Sequence, residues 1–349
     1  MRLHSLRFFL ILSVIACPIL MVNRLSSPTG LLNHYTMKHS VQETVILTIR
    51  SCPMFIDNRS SALRLLAAAF LLFIMSGCAS QFPNPQNAIF KSTSNADGQK
   101  LFLKTFKVHG GDAINELNDV NVGITGKWKK LITKIQPLVT DFKYRVDSEE
   151  RILPKEFAYA ALYTGPSGNK KVVRTPSSLN VFYNKVPSLD SEVLSSTALT
   201  ADAFFTFLLG PLALHKWKDA FTRIEDKFEL GNNYYRIHLA REPGFGFSKA
   251  DEVVLWIDAV TFRTAKIQIT LEWHSTTKSA HVQVDYLDYI QVGKYLFPSD
   301  FYEKVNAPIA IGAHAWRLTG LDINRGLSLK NIDDIEYSSK AKKSAMALK

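Results

Sequence analysis

Along residues 120–128 apolar and polar positions alternate, with Val120, Val122, Ile124, Gly126 and Trp128 set against Asn121, Gly123, Thr125 and Lys127. A period of two sends successive side chains to opposite faces, so this stretch predicts a strand with one dry face. Phe142, Tyr144 and Val146 alternate with Lys143, Arg145 and Asp147 in the same way and predict a second strand. Residues 157–163 and 170–174 read as a hairpin around the longer loop 164–169, and Leu179, Val181 and Tyr183 supply a short strand. The pattern resumes at Tyr235, Ile237 and Leu239, at Val253, Leu255 and Ile257, and along Ala265, Ile267, Ile269, Leu271 and Trp273. Val282, Val284 and Tyr286, then 295–297, then His314, Trp316 and Leu318 complete about nine to eleven strands.

Two stretches break this rhythm. Residues 98–108 carry Leu101, Phe102, Leu103, Phe106 and Val108 at helical spacing, and His109-Gly110-Gly111 ends the segment. His109 reads there as a C-terminal cap rather than a ligand, and Asp112 is placed to cap a further turn. Residues 191–209 show no alternation and stop at Gly210-Pro211, as a helix does. Within them 201–209 is apolar on nearly every side except Asp202 and Thr206, which demands burial in protein or membrane. Nine residues do not cross a bilayer, so this helix is expected inside the fold. Residues 215–221, carrying Trp217, read as a short amphipathic continuation. One-faced strands argue for an antiparallel sheet, and strands that do not alternate with helices argue against a doubly wound fold. The expected fold is α+β, mainly β: a strongly curved antiparallel sheet, an unclosed β-barrel, with helices packed in its concave face.

The N-terminal region follows a different logic. Arg59 and Arg64 precede the apolar run 65–75, and Ser76-Gly77 stands before Cys78. A charged start, an apolar centre and small residues at a cleavage site make a secretory signal. Met75-Ser76-Gly77-Cys78 resembles the lipobox of bacterial lipoproteins, in which the cysteine becomes a lipidated mature N-terminus; the alternative is a hydrophobic helix with an incidental cysteine. The resemblance implies a signal peptide over 54–77, acyl chains of the palmitate type on Cys78, and a membrane anchor. One acyl chain binds only marginally, whereas two or three hold effectively permanently. Ala79, where such lipoproteins use aspartate for inner-membrane retention, implies the periplasmic leaflet of the outer membrane. A second apolar run, 8–22, is interrupted by Cys17-Pro18, and two tandem signals make little sense. Residues 1–53 are therefore expected to be an over-extended N-terminus, with Met54 as the start.

Beyond the cysteine, 78–97 is rich in Ser, Asn, Pro and Gln and reads as a polar tether. The folded domain is expected over 98–335, with a basic tail at 336–349. Of the formal +11 charge of the 349-residue chain, five units lie before Cys78. The mild remainder suits solubility and anionic head groups, and nucleic acid is not an expected partner. Cys17, Cys52 and Cys78 are the three cysteines, so the mature domain has no pair for a disulfide and no cysteine site.

The helix ending in His109-Gly110-Gly111, the helix ending Phe207-Leu208-Leu209-Gly210-Pro211 and the late one-faced strands resemble the LolA/LolB-like superfamily over about residues 98–330. Its members are periplasmic carriers and outer-membrane lipoproteins with a half-barrel lidded by helices and an apolar cavity for acyl chains. The receptor's protruding apolar loop has no counterpart here.

Motifs for chemistry are few. His274, His281 and His314, with Asp285 as a fourth ligand, lack metal-site spacings, and His274 and His281, on the polar sides of their strands, read as solvated sheet histidines. No G-x-S-x-G elbow is present, the loop 242–247 lacks phosphate-binding glycine spacing, and Asp285 and Asp288 are expected to point apart. No cofactor, metal or enzymatic activity is expected. Trp128, Tyr144, Phe204, Phe205, Phe207, Leu208, Trp217, Trp273 and Trp316 fall on expected inward positions. Singly each is ordinary core filling; together they would line a cavity for a lipid or acyl chain. Two readings stay open: a lipoprotein binding a hydrophobic ligand for envelope lipid or lipoprotein transport or storage, and a structural or envelope-protein-binding lipoprotein with a solid core.

Overall fold

The computed structural model describes residues 81–83 and 95–334, all within the unit 59–349. The expected over-extended N-terminus, the signal peptide, Cys78, most of the tether and the basic tail lie outside the described residues.

Thirteen antiparallel strands among the described residues form a single sheet that does not close. They are β1 (Val120–Trp128), β2 (Asp147–Leu153), β3 (Ala158–Gly165), β4 (Gly168–Thr175), β5 (Ser178–Tyr183), β6 (Val186–Pro187), β7 (Thr222–Glu229), β8 (Asn232–Arg241), β9 (Asp251–Asp258), β10 (Thr264–Thr270), β11 (His281–Val292), β12 (Tyr295–Ala307) and β13 (Ile311–Ile323). The order is β6-β5-β4-β3-β2-β1-β13-β12-β11-β10-β9-β8-β7. Two meanders are thus joined where β1, the earliest strand, pairs with β13, the last: Val120 lies opposite Ile323 and Trp128 opposite His314.

The helices are α1 (Asn95–Val108), a 3-10 turn (Gly111–Glu116), α2 (Lys130–Ile135), α3 (Pro137–Thr140), α4 (Ser191–Leu209) and a second 3-10 helix (Gly210–Trp217). The stretch Ser191–Trp217 is long and apolar enough, by length and composition, to cross a membrane, yet it is mostly buried within the protein. That is the outcome expected of a helix apolar on all sides when a sheet supplies its solvent. Asp190 starts α4, its carboxylate accepting the Glu192 and Val193 N–H groups at 2.9 and 3.2 Å. Asp190→Ala is expected to lower stability by about 1 kcal/mol, read as a shifted urea midpoint with unchanged slope.

Helix α1 closes on β7. Phe102 stacks on Phe221 at 4.2 Å, and Gly98 lies so close to the backbone of residues 221–223 that a Cβ there would meet Phe221 O at 2.4 Å. His109 at the end of α1 is fully buried, and its ring does more than cap the helix. Its Nδ1 meets Leu296 O at 2.8 Å, while Thr264 N–H donates to Nε2 at 3.1 Å.

Several sequence expectations are corrected. Residues 142–146 form a turn, not a strand, and the unexpected β2 begins at Asp147. The β3–β4 hairpin turns tightly through Pro166-Ser167 between the paired Gly165 and Gly168, not through a longer loop. In place of an amphipathic helix over 215–221, the 3-10 helix ends at Trp217 and the unexpected β7 starts at Thr222. The polar tether is also not wholly solvated. Pro83 is buried, Phe82 packs on the outer-face cluster of Ile224, Val254 and Trp256, and residues 95–97 already belong to α1. At the other end Asp119 accepts the N–H groups of Arg325, Gly326 and Leu327 at 2.9, 3.0 and 3.0 Å. This directs Ile332 onto the outer faces of β2–β4, against Leu153, Ala160 and Leu162.

Candidate functional site: the two halves of the concave face

The inner faces of the two meanders differ in chemistry. On β8–β11 the register aligns Ile237, Leu255, Ile267 and Val284 in one apolar row, which meets Glu303 on β12. On β2–β5 the equivalent row is Ser148, Tyr163, Lys170 and Tyr183; the next row on that face is Glu150, Ala161, Val172 and Val181, and the one after it holds Tyr159 and Arg174. Helix α4 lies over both kinds of surface and answers each in kind. Its Thr197 Oγ1 accepts from Lys170 Nζ at 3.0 Å, and Asp202 pairs with Arg174 at 3.0 Å. Tyr286 Oη donates to Phe207 O at 2.9 Å. Lys170 Nζ and Tyr183 Oη both donate to Asp141 Oδ2, at 2.8 and 2.7 Å. Burial pulls the Lys170 pKa down to about 8, against the attraction of Asp141.

Arg145 enters this interior from the turn after α3. Asp141 takes a left-handed conformation (φ 41°), and the Tyr144 and Arg145 N–H groups both donate to its carbonyl. That turn leaves Phe142 exposed and sends Arg145 inward to 4% exposure. The guanidinium carbon lies 4.7 Å from the Phe204 ring centre, 5.1 Å from Tyr163 and 5.3 Å from Trp128. A delocalised cation over aromatic faces is an attractive arrangement. Arg145 Nη1 donates to Val139 O at 2.9 Å, whereas Nε has no partner.

Beside it, His314 stacks on Trp128 with ring centres 3.8 Å apart and planes 3° from parallel. Gly126 makes room, since a Cβ there would stand 2.5 Å from His314 Nε2. Trp316 is layered between Phe301 at 4.9 Å and Phe204 at 5.3 Å. Both His314 ring nitrogens, Trp316 Nε1 and Glu303 Oε2 are shut from solvent without a hydrogen-bond partner. Glu303 lies opposite His314 in the β12–β13 register. Burial holds the His314 pKa well below its ordinary value, with the Arg145 charge adding to the effect. Burial also lifts Glu303 to about 7, although Arg145 opposes the rise. Burial works against the Arg145 charge as well, but Tyr163, Tyr159, Glu150 and Asp141 outweigh it and raise its pKa.

Of the nine aromatic and aliphatic residues singled out in the sequence, Phe204, Phe205, Phe207, Leu208 and Trp316 belong to one buried core, with Trp217 and Trp273 packed against it. Trp128, Phe204, Phe207 and Trp316 come together around His314. Phe205 and Trp217 instead meet Phe157, at 5.5 and 5.8 Å, and Leu208 is buried in the main core. Tyr144 lies in the turn, 4.7 Å from Tyr183. Trp273 lies beyond the end of β10, half-buried against Phe247, and not on a strand. Arg145 and Glu303 are not among the nine: alternation puts Arg145 on a solvent-facing position, and Glu303 lies beyond the short strand expected over 295–297.

His274 and His281 are not solvated sheet residues either. His274 is fully buried in the loop after β10 with Nδ1 3.1 Å from Ser195 Oγ. His281 starts β11 and meets Phe82 edge-on at 5.3 Å, on the outer face. His314 lies on the inner face, so they do not converge, and among the described residues no group of three or more His, Cys, Asp or Glu could hold a metal ion. Asp285 pairs with Lys304 at 3.1 Å, while Asp288 accepts the Tyr289 N–H at 2.8 Å; the two do not act as a pair.

No family model matches this sequence, and no curated protein matches it. Among solved structures it is similar to a LolA superfamily protein from Nitrosomonas europaea, at 15% identity and a TM-score of 0.42, covering 67% of this chain and 96% of that one. It is also similar to a DUF1329 family protein from Desulfovibrio piger, at 9% identity and TM-score 0.36, covering 68% and 96%. A third is the lipoprotein LppX of Mycobacterium tuberculosis, at 11% identity and TM-score 0.23, covering 52% and 97%.

Proposed function

We propose that this protein is an envelope lipoprotein that binds a lipid or acyl chain between its curved sheet and helix α4, anchored through Cys78 in the outer membrane and facing the periplasm. The observation that carries this reading is α4 itself. Its second half, 201–209, is apolar on nearly every side and buried inside a sheet that stays open, with Phe204 and Phe207 against Trp316. Such a helix is joined to the sheet by non-directional apolar contact plus a few discrete polar links, so an acyl chain can replace its contacts without breaking the sheet. Cargo would move by exchange of apolar contacts, without covalent chemistry. Against it stands a solid-core reading, favoured by the parallel stacking of Phe301 on Trp316, in which the lipoprotein serves structure or an envelope partner.

Native mass spectrometry of the full chain carrying Cys78→Ser distinguishes the two. Co-purified lipid at about one per chain is expected; a chain that emerges empty, and stays empty after incubation with envelope lipids, would reject the binding reading.

A further inference from the structure

The interior holds a group of buried polar atoms that the fold itself leaves unsatisfied. A buried donor or acceptor without a partner carries a desolvation cost of about 1–3 kcal/mol, so several in one place call for an explanation. His314 is 4% exposed and Trp316 2% exposed, and neither has a partner for any ring nitrogen. Arg145, also 4% exposed, keeps Nε free beside the same Phe204 ring that covers Trp316. Three donors, one of them a permanent cation, therefore sit at one end of an apolar surface that continues through Phe204, Phe207 and Phe301.

We propose that Arg145, His314 and Trp316 hold the singly charged oxyanion end of an amphiphile, a carboxylate or a phosphodiester, whose hydrocarbon chain lies along Phe204, Phe207 and Phe301. The inference rests on the lipid-binding reading above and adds the chemistry of the head group. A single charge follows from the cation count. Arg145 is the one cation of this group, because Lys170 is engaged by Asp141 and Arg174 by Asp202. A guanidinium recognises a planar oxyanion through parallel hydrogen bonds, and a neutral imidazole and an indole N–H add donors without adding charge. The groups that face the bound anion are Glu303 on β12, Glu150 on β2, Tyr159 and Tyr163 on β3, and Asp141 in the turn. Asp141 is neutralised by Lys170, and Glu150 accepts from Ser148 Oγ at 2.8 Å. Glu303 and Glu150 each keep one buried oxygen without a partner, and both must carry a proton when the anion is present, which their raised pKa values of about 7 and about 6 make accessible.

The test compares binding of three probes, oleate, oleoyl-lysophosphatidylglycerol and oleyl alcohol, to the full chain carrying Cys78→Ser. The expected result is that one of the two anionic probes binds at least about tenfold more tightly than the alcohol. Preference for oleate assigns a carboxylate head, and preference for the lysolipid assigns a phosphodiester. Trp316→Phe, which keeps the ring and removes the free N–H, is expected to reduce that preference about threefold to tenfold while leaving alcohol binding unchanged. Arg145→Met is expected to abolish the preference, and Glu303→Gln to strengthen anion binding at pH 8. Equal binding of all three probes that none of these variants changes would overturn the head-group proposal and leave lipid binding standing. Failure of all three to bind would overturn both.

Discussion

Replacing Asp202 with alanine is expected to lower folding stability by about 3–5 kcal/mol, a fall in melting temperature on the order of 10 °C for a domain of this size. Asp202 is one of the two polar residues on the otherwise apolar stretch 201–209, and its carboxylate serves three donors. Arg174 Nε and Nη2 reach it at 3.0 and 3.1 Å, and the Gly246 N–H reaches it at 2.8 Å. Arg174 Nη2 also donates to Gly246 O at 2.7 Å, and the guanidinium lies 4.5 Å from the Phe247 ring centre. One ion pair thus fastens helix α4, strand β4 and the loop 242–250. Its side chains are 16% and 7% exposed, so removing the carboxylate strands a cation that water reaches poorly. The loop would keep its bonds to Asp251, whose Oδ2 accepts the Phe245 N–H at 2.8 Å and is also bonded by Ser248 Oγ, and the Trp217 Nε1–H bond to Glu242 O at 3.0 Å. Urea unfolding of Asp202→Ala measures the loss. The double variant Asp202→Leu with Arg174→Met should recover most of it, since removing both charges leaves no unpaired ion. A single variant within about 1 kcal/mol of the parent would show the pair to be effectively solvated.

The same pair shows what a sequence can and cannot reveal. Strands β1, β8 and β10 are legible because one face is apolar and the other largely polar, so hydrophobicity reports burial. The second half of helix α4 is legible for the opposite reason, being apolar on nearly every side apart from Asp202 and Thr206. Strand β2, DSEERIL, defeats the rule because Glu150 faces inward at 0% exposure, in register with the inward-facing Ala161. Strand β7, TRIEDKFE, is an edge strand whose Ile224 packs on the outer face, so its inner face offers no apolar signal. The turn at 142–146 inverts the expectation: alternation marked Arg145 as solvated and Phe142 as buried, and the left-handed Asp141 exchanges them. The candidate head-group site was hidden for this reason. Trp128, Phe204, Phe207 and Trp316 announced an interior, but polar side chains that are buried for function look, in sequence, like side chains that face water.

Acidification from pH 6.5 to 4 is expected to destabilise the protein through His109, by about 3 kcal/mol over that window. The ring is fully buried and its two hydrogen bonds define its protonation: Nδ1–H donates to Leu296 O and Nε2 accepts from Thr264 N–H. A proton on Nε2 would turn that acceptor into a donor facing a donor. Burial accordingly pushes the pKa down to about 4, against the pull of the Leu296 carbonyl and with a further push from the Arg263 charge. Between about 4 and 6.5 the unfolded chain therefore holds a proton that the folded chain refuses, and stability falls as pH falls through this range. Buried carboxyls act with the opposite sign. Burial lifts Glu150 to about 6 and Glu303 to about 7, so the folded state keeps protons that the unfolded state releases, and their contribution is lost as pH rises from 4.5 through those values. The parent profile is the difference of these two trends and is flatter than either. His109→Gln retains one donor and one acceptor but does not titrate. Its unfolding free energy, measured by urea from pH 4 to 8, should lose about one proton's worth of acid slope below pH 6.5 relative to the parent. Glu303→Gln should remove slope of the opposite sign between pH 4.5 and 7. Parallel profiles for His109→Gln and the parent would mean that the α1–β10–β12 junction opens to solvent before the protein unfolds.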